Sequence, residues 1–173
     1  YFGRVLTLSG NVKIVRDHRN IDAKIGDEVF FNDMLITNRD AWLRVACKTS
    51  CIYLAPDTSL MVERKSGLTE TVSITLDKGW LRSKIERLGK KENYEVITVA
   101  AVLQVLGTDF VTYVSADQQV MRVSVLQGKV GVSDAAEGRR AFQPYDVATG
   151  QTSVVQVAKC LVVTGYLGEQ DVG

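Results

Sequence analysis

The sequence predicts an all-β protein built from short strands, and three observations support this class. Apolar and polar residues alternate over many short runs, which is the period of a strand with one buried face. Only 2 of the 173 residues are proline, while valine and threonine are abundant, and this composition favours strands over helices. The chain has 14 glycines, several of them at the ends of alternating runs, where turns or bends are expected.

The element around which the chain is organised joins two alternating runs at Gly107. Before it, the aliphatic residues from Ala101 to Val105 lie at odd positions, and after it the strand residues Thr108 and Phe110 begin an even series. A slip of one residue would turn the apolar set outward unless the backbone bends or bulges there. Glycine suits such a bend because it enters positive φ without a Cβ clash. We therefore predict a structural corner with positive φ at Gly107.

A related element recurs along the chain as an aliphatic residue, a glycine and then alternating strand residues. It appears around Gly10, Gly79, Gly128 and Gly150. Short strands with turn signals at such intervals suggest a coiled or stacked β architecture, although a β-sandwich produces the same pattern. The spacing of the glycines does not decide between the two.

Two segments also fit a helix. Between residues 78 and 91, the spacing of Leu81 and Ile85 fits a helix that ends at Gly89. The competing strand puts Leu81 and Ile85 on one face with a serine between them, so the pattern alone gives the helix a slight advantage. Residues 40–47 fit a short helix and a strand equally well.

The stretch that contains Gly107 resembles the V-x-V-x-G-T-x-F signature of the FecR domain, a bacterial cell-envelope module. Val99 stands where the family usually has proline, and residues 48–50 replace its D-G-S turn. Neither departure touches a glycine corner. Four further stretches resemble family elements in the family's order and extend the likeness over residues 3 to 133: the G-D opening at 23–37, the L-x-P-x-T-x-L turn at 54–60, the L-x-x-G-x-L-R element at 76–82 and the V-x-x-G-x-V-x-V close at 125–132.

The resemblance implies a FecR-like β domain over residues 1–133, with short strands in a right-handed β-helix-like or roll arrangement, the β-sandwich being the alternative. Residues 134–173 are then a C-terminal extension whose strands pack on the same domain. The resemblance also makes residues 78–91 a strand followed by a loop near Gly89. The residues that carry the motifs are expected to be structural: Gly26, Asp27, Gly79, Gly107, Thr108, Phe110 and Gly128.

The side chains that could perform chemistry do not form a recognisable set. His18 is the one histidine and has no partner for metal binding or general base catalysis, so a solvated turn histidine is the better interpretation. Asp27 and Asp33 follow turn residues, where aspartates cap backbone N–H groups. Nucleophile and phosphate-binding motifs are absent from the sequence. We therefore expect no enzyme, no cofactor and no metal site.

The charge pattern argues against nucleic acid as a partner. The formal net charge is +1, which generates no strong global field. Lysine and arginine concentrate between residues 78 and 91, but acidic residues dilute the run and the interleaved aromatics of single-strand binding proteins are absent from it. A solvated edge is the favoured interpretation, with contact to an acidic protein face or a cell-wall polymer as the alternative. The longest apolar stretch, Val99 to Val105, is too short for membrane insertion, which takes about 20 residues.

The resemblance implies a role in envelope signalling, in which a periplasmic domain senses an outer-membrane TonB-dependent transducer and controls an attached sigma-factor regulator. We therefore expect a non-enzymatic, periplasmic protein-binding module, with a periplasmic scaffold or cell-wall glycan-associated protein as the alternative. Terminal strands leave open sheet edges that accept a partner strand. The residues predicted to contact that partner are Val12, Ile14, Val162 and Val163.

Cys47 and Cys51 bracket a short turn that would bring their Cα atoms near the ~5.5 Å that a disulfide favours. An oxidising compartment would close the bridge and leave Cys160 unpaired. The alternation of the flanking strands, however, assigns the two cysteines to different faces. The sequence leaves bridge and free thiols as even alternatives.

Overall fold

The computed structural model describes residues 1–86, 88–135, 143–157 and 161–166. Of these residues 67% are in strands and none is in an α-helix, which confirms the all-β class. None of them forms a helix of the length and apolarity that crossing a bilayer requires. The strands are β1 (Gly3–Ser9), β2 (Val12–Arg16), β3 (Arg19–Asp22), β4 (Glu28–Val29), β5 (Met34–Thr37), β6 (Trp42–Cys47), β7 (Ser50–Leu54), β8 (Thr58–Lys65), β9 (Glu70–Ile85), β10 (Glu92–Ile97), β11 (Ala101–Val105), β12 (Asp109–Val114), β13 (Val120–Gln127), β14 (Lys129–Asp134), β15 (Tyr145–Ala148), β16 (Gln151–Gln156) and β17 (Leu161–Tyr166).

The strands form two layers that share β9. Sheet A has the order β4-β1-β6-β7-β9-β12-β13-β16-β17. Sheet B has the order β3-β2-β5-β8-β9-β10-β11-β14-β15. Among these strands, only β9 and β10 pair in parallel. The chain passes repeatedly from one layer to the other, and β15 to β17 continue both layers beyond β14.

One hydrophobic core fills the space between the layers. Alternate residues of both sheets point into it, among them Leu43, Leu103 and Phe110, which are fully buried. Burying a side chain of this size contributes roughly 1.5–3 kcal/mol, so the alternation supplies most of the driving force for the fold. A hydrogen bond between hydroxyl groups also joins the two layers inside the core. The hydroxyl of Tyr94 in sheet B lies 3.2 Å from Oγ of Ser83 in sheet A.

The glycines of the recurring element are the corners at which the chain changes layer. All four have positive φ, so the turn signals in the sequence are confirmed as backbone corners. The corner inside β9 is the tightest of them, because a Cβ on Gly79 would lie 2.2 Å from Thr58 Oγ1. Residues on the N-terminal side of this corner pair in sheet B and those on its C-terminal side pair in sheet A. The four corners have φ of 73° at Gly10, 97° at Gly79, 97° at Gly128 and 81° at Gly150.

The corner at Gly107 has the predicted change of parity but not the predicted φ. Odd residues of β11 and even residues of β12 are buried, and the pairing register shifts next to Phe110, so the slip and the bend are confirmed. The prediction of positive φ at Gly107 is wrong, because Gly128 holds that conformation instead. A Cβ on Gly128 would lie 2.9 Å from the Gly107 carbonyl oxygen. The neighbouring Thr108 Oγ1 donates a 2.9 Å hydrogen bond to the Lys129 carbonyl and ties the two corners together.

Both segments that also fitted a helix are strands. Residues 42–47 form β6, with Leu43 and Val45 buried. Leu81 and Ile85 lie on the buried face of β9, which ends at Ile85 and leaves Gly89 in a loop. The strand interpretation that followed from the resemblance is therefore confirmed. The polar Ser83 fits the core because Tyr94 satisfies its hydroxyl.

Candidate functional site

The structure separates the four residues predicted to contact a partner. Val12 and Ile14 are 3% and 1% exposed and point into the core from β2, which is paired on both sides. The prediction that these two bind a partner is wrong, because their parity is that of the buried face. Val162 is half-buried against the core. Val163 is 55% exposed on β17, the last strand of sheet A in the described part of the chain.

The β17 edge lacks the protection that the other sheet ends have. Its sequence, Leu-Val-Val-Thr-Gly-Tyr, contains no charge, and it pairs with β16 along its six residues. At the other ends, β4 has only two residues, β3 begins and ends with Arg19 and Asp22, and the four-residue β15 carries Asp146. Short strands and charged side chains block pairing with foreign strands, whereas a long uncharged edge permits it. Among the described edges, β17 is therefore the one best suited to accept a strand.

A second surface feature is an aromatic groove on the outer face of sheet A. Its rings stack in two pairs, with centroids 6.1 Å apart for Trp42 and Tyr53 and 4.3 Å apart for Trp80 and Tyr113. The cavity beside them has a volume of about 700 Å³. The chain has two tryptophans, and both line this cavity. We call this surface the sheet A groove; it is lined by Thr7, Trp42, Arg44, Cys51, Tyr53, Ala55, Trp80, Arg82, Lys84 and Val111.

Cationic side chains alternate with the rings of the sheet A groove. Cross-strand pairing places Tyr53 between Arg44 and Arg82. Asp109 accepts two hydrogen bonds from Arg82, one from Nε at 3.0 Å and one from Nη2 at 2.8 Å. This contact raises the pKa of Arg82. Arg44 and Lys84 form no ion pair with any residue that the structure describes. The groove therefore presents a net positive charge beside exposed aromatic rings.

The sequence contains a signal for the sheet A groove that is spread over two separate segments. Within residues 78–91 the aromatics appeared too few, because most rings come from β6, β7 and β12. The tripeptide Trp-Leu-Arg, however, occurs twice, at residues 42–44 and 80–82. In a strand with leucine inward, tryptophan and arginine both point outward. Two such strands in one sheet would have predicted a mixed aromatic and basic face.

The aspartates considered for catalysis have structural roles. Asp27 Oδ2 accepts a 2.8 Å hydrogen bond from the backbone N–H of Lys24, as a turn-capping aspartate does. Asp33 is 1% exposed and accepts two hydrogen bonds from Arg16, one from Nε at 2.8 Å and one from Nη2 at 2.7 Å. Its Oδ2 also accepts the N–H of Phe30 at 2.8 Å. The predicted turn roles of both residues are confirmed.

The other residues singled out by sequence do not converge on the groove. His18 is exposed in the two-residue turn between β2 and β3, with φ of 62°. The described residues contain no group of three histidine, cysteine or acidic side chains that could hold a metal ion. The family motif residues lie at corners or in the core rather than in the groove, as is seen for Gly26, Asp27, Gly79, Gly107, Thr108, Phe110 and Gly128.

Cys47 and Cys51 are free thiols on opposite faces of sheet A. Cys47 packs against the core, and burial raises its pKa to about 12. Cys51 pairs across the hairpin with Ala46 and lines the groove. The predicted bridge is absent because adjacent parities point the two sulfur atoms away from each other. Cys160 lies outside the described residues.

Comparison with known proteins identifies the fold. A family model described as FecR protein matches residues 33–131, which is more than half of the chain. Two crystal structures of a candidate anti-sigma factor from Parabacteroides distasonis ATCC 8503 share the fold, each with a TM-score of 0.64, at 17% and 16% sequence identity. The alignments cover 77% of this chain and 59% of those chains, so this chain spans little more than half of their length. No curated protein matches the sequence.

Proposed function

This chain belongs to the FecR family, and from that premise we propose that it is a periplasmic, non-enzymatic domain that binds another envelope protein. It relays or anchors that contact for a FecR-type regulator. The family role makes a TonB-dependent transducer the first partner to consider, with a scaffold protein of the envelope as the alternative. The observation that carries the proposal is the uncharged β17 edge.

The physical basis of the contact is strand addition. The main chain of an edge strand supplies hydrogen bonds to an incoming strand, and alternate side chains select its sequence. Val163 pairs with Val154 on the outer face of sheet A, so its 55% exposed side chain contributes an apolar contact next to the edge. Val162 points toward the core and holds β17 in place. A partner strand would therefore extend sheet A without unfolding the domain.

A pair of matched variants tests the proposal. Val163→Lys places a charge at the β17 edge, and Ile21→Lys places the same charge on a 37% exposed aliphatic residue of the β3 edge in sheet B. The immobilised chain captures proteins from envelope extract of the source bacterium, and the recovered protein is purified and titrated against each variant. We expect Val163→Lys to weaken binding at least about tenfold, since an edge lysine blocks strand pairing, and Ile21→Lys to leave it unchanged.

The contact at β17 is wrong if both variants remain folded by circular dichroism and bind the captured protein equally well. Recovery of glycan without protein would contradict the protein-binding function itself. Turnover of an envelope substrate by the folded chain would contradict the non-enzymatic assignment.

A further inference from the structure

We propose that the sheet A groove binds a carboxylated polysaccharide, that is, a sugar polymer whose rings carry uronic-type acid groups. This inference concerns a different surface from the protein contact at β17 and does not depend on it. It assigns a ligand class to the stacked rings and the cations between them.

The groove has the size and exposure of a ligand site. Its volume of about 700 Å³ falls in the range of roughly 300–1,000 Å³ that small-molecule clefts occupy. Trp80 is 40% exposed and Tyr53 is 39% exposed. An outward row of large aromatics leaves ring faces exposed to water, and a flat ligand can stack on them.

The backbone under the groove favours a sugar over a peptide strand. The strands β7, β9 and β12 are each paired on both sides within sheet A, so their main-chain groups are already used. An extended peptide could therefore form no hydrogen-bond ladder there, and recognition falls to side chains. The negative faces of aromatic rings attract the C–H groups that a sugar ring presents on its flat side. Two strand spacings, about 10 Å, separate the strands of Trp42 and Trp80, which leaves room for a short oligosaccharide.

The charges in the groove favour an acidic sugar over a neutral one. Arg44 and Lys84 have no carboxylate partner among the described residues. Asp109 orients the Arg82 guanidinium beside Tyr53, and it is the one carboxylate that touches the basic residues of the groove in the described part of the chain. Guanidinium groups bind carboxylates through paired hydrogen bonds, and ammonium groups bind them as point charges. A polymer that alternates ring faces with carboxylates matches this alternation of aromatic and cationic side chains.

Intrinsic fluorescence provides a direct test because both tryptophans of the chain lie in the groove. The probe is an oligogalacturonate of defined length, titrated into the full chain. Its methyl-esterified form serves as the neutral sugar, and poly-L-glutamate serves as the acidic peptide. We expect a saturable change in tryptophan emission with oligogalacturonate, binding at least about tenfold weaker with the esterified form, and weakening by added salt.

Variants then locate the binding site. Trp80→Ala and Arg44→Gln should each weaken oligogalacturonate binding about tenfold or more by calorimetry, while Trp80→Phe keeps a ring and retains most of the affinity. Arg19→Gln removes an exposed arginine from β3 on the other sheet and is the matched charge control. It should bind like the parent. Melting temperatures establish that every variant is folded before binding is compared.

Three results would overturn the inference. One is the absence of a saturable response to oligogalacturonate from the folded chain. Another is equal or tighter binding of poly-L-glutamate, which would assign the groove to an acidic protein segment. The last is an affinity that Trp80→Ala and Arg44→Gln leave intact, since the sugar would then bind elsewhere.

Discussion

The corner inside β9 offers the sharpest test of why this fold needs glycine. Gly79→Ala introduces a Cβ at φ +97°, where it would lie 2.2 Å from Thr58 Oγ1, 2.6 Å from Thr58 Cα and 2.7 Å from Thr58 Cβ. Thr58 cannot move aside easily, because it is fully buried and its hydroxyl accepts the N–H of Trp80 at 3.0 Å. Gly150→Ala is the matched control, with φ +81° and no atom within 4 Å of the added Cβ.

The structure separates two contributions to the loss of stability. A left-handed φ costs a residue with a Cβ about 1–2 kcal/mol, and this applies to both variants. Displacing Thr58 adds a cost of overpacking of about 1–3 kcal/mol to Gly79→Ala alone. We therefore expect Gly79→Ala to lower the free energy of unfolding by about 2–5 kcal/mol and Gly150→Ala by about 1–2 kcal/mol.

Urea unfolding and thermal melting measure both values. For a chain of this size, each kcal/mol lowers the melting temperature by about 2–4 °C, so the control should melt about 2–8 °C below the parent and Gly79→Ala about 4–20 °C below it. If the two variants lose the same free energy of unfolding within error, the close approach of Thr58 is not what requires glycine at this corner.

Two further predictions concern buried groups. Asp33→Asn removes the buried charge that holds Arg16 and should lower the free energy of unfolding, measured in urea, by about 2 kcal/mol. The control Asp22→Asn removes the charge of an exposed pair and should produce no measurable change. Equal effects would contradict the role of burial. Iodoacetamide at pH 8 should label Cys51 well before the buried Cys47 in a peptide map. Burial raises the pKa of Cys47 from 9.0 to about 12, so the free energy of unfolding should fall by about 1.4 kcal/mol per pH unit between these two values. The fall should be less steep in Cys47→Ala. Equal labelling rates, or identical pH slopes, would show that Cys47 is not buried.

Much of the fold could be predicted from parity and glycine position. Alternation identified the buried faces of β11 and β12, and the recurring glycines marked corners that all have positive φ. The conformation of Gly107 could not be predicted in this way. Which of two touching corners takes the left-handed φ depends on how Gly107 and Gly128 approach each other, and that contact joins residues distant in sequence.

The binding surfaces were harder to predict than the core because they depend on strand neighbours. Val12 and Val163 look alike in sequence, since both are valines in alternating terminal segments. Burial and pairing in the folded sheets distinguish them: Val12 is on the buried face of β2, which lies inside sheet B between β3 and β5, whereas Val163 is on the exposed face of β17, which ends sheet A. The cysteine hairpin shows the reverse case, because local parity alone explains why Cys47 and Cys51 face opposite sides.

The same alternation that builds the core also builds the sheet A groove. Each Trp-Leu-Arg tripeptide sends its leucine inward, where Leu43 and Leu81 are fully buried, and so must send tryptophan and arginine outward. Part of the outward set stabilises the sheet itself, because the stacked cross-strand pairs Trp42–Tyr53 and Trp80–Tyr113 each contribute roughly 0.2–1 kcal/mol. Arg44 has no such role, since it forms no ion pair among the described residues. The binding experiments above therefore test the rings and the unpaired cation together.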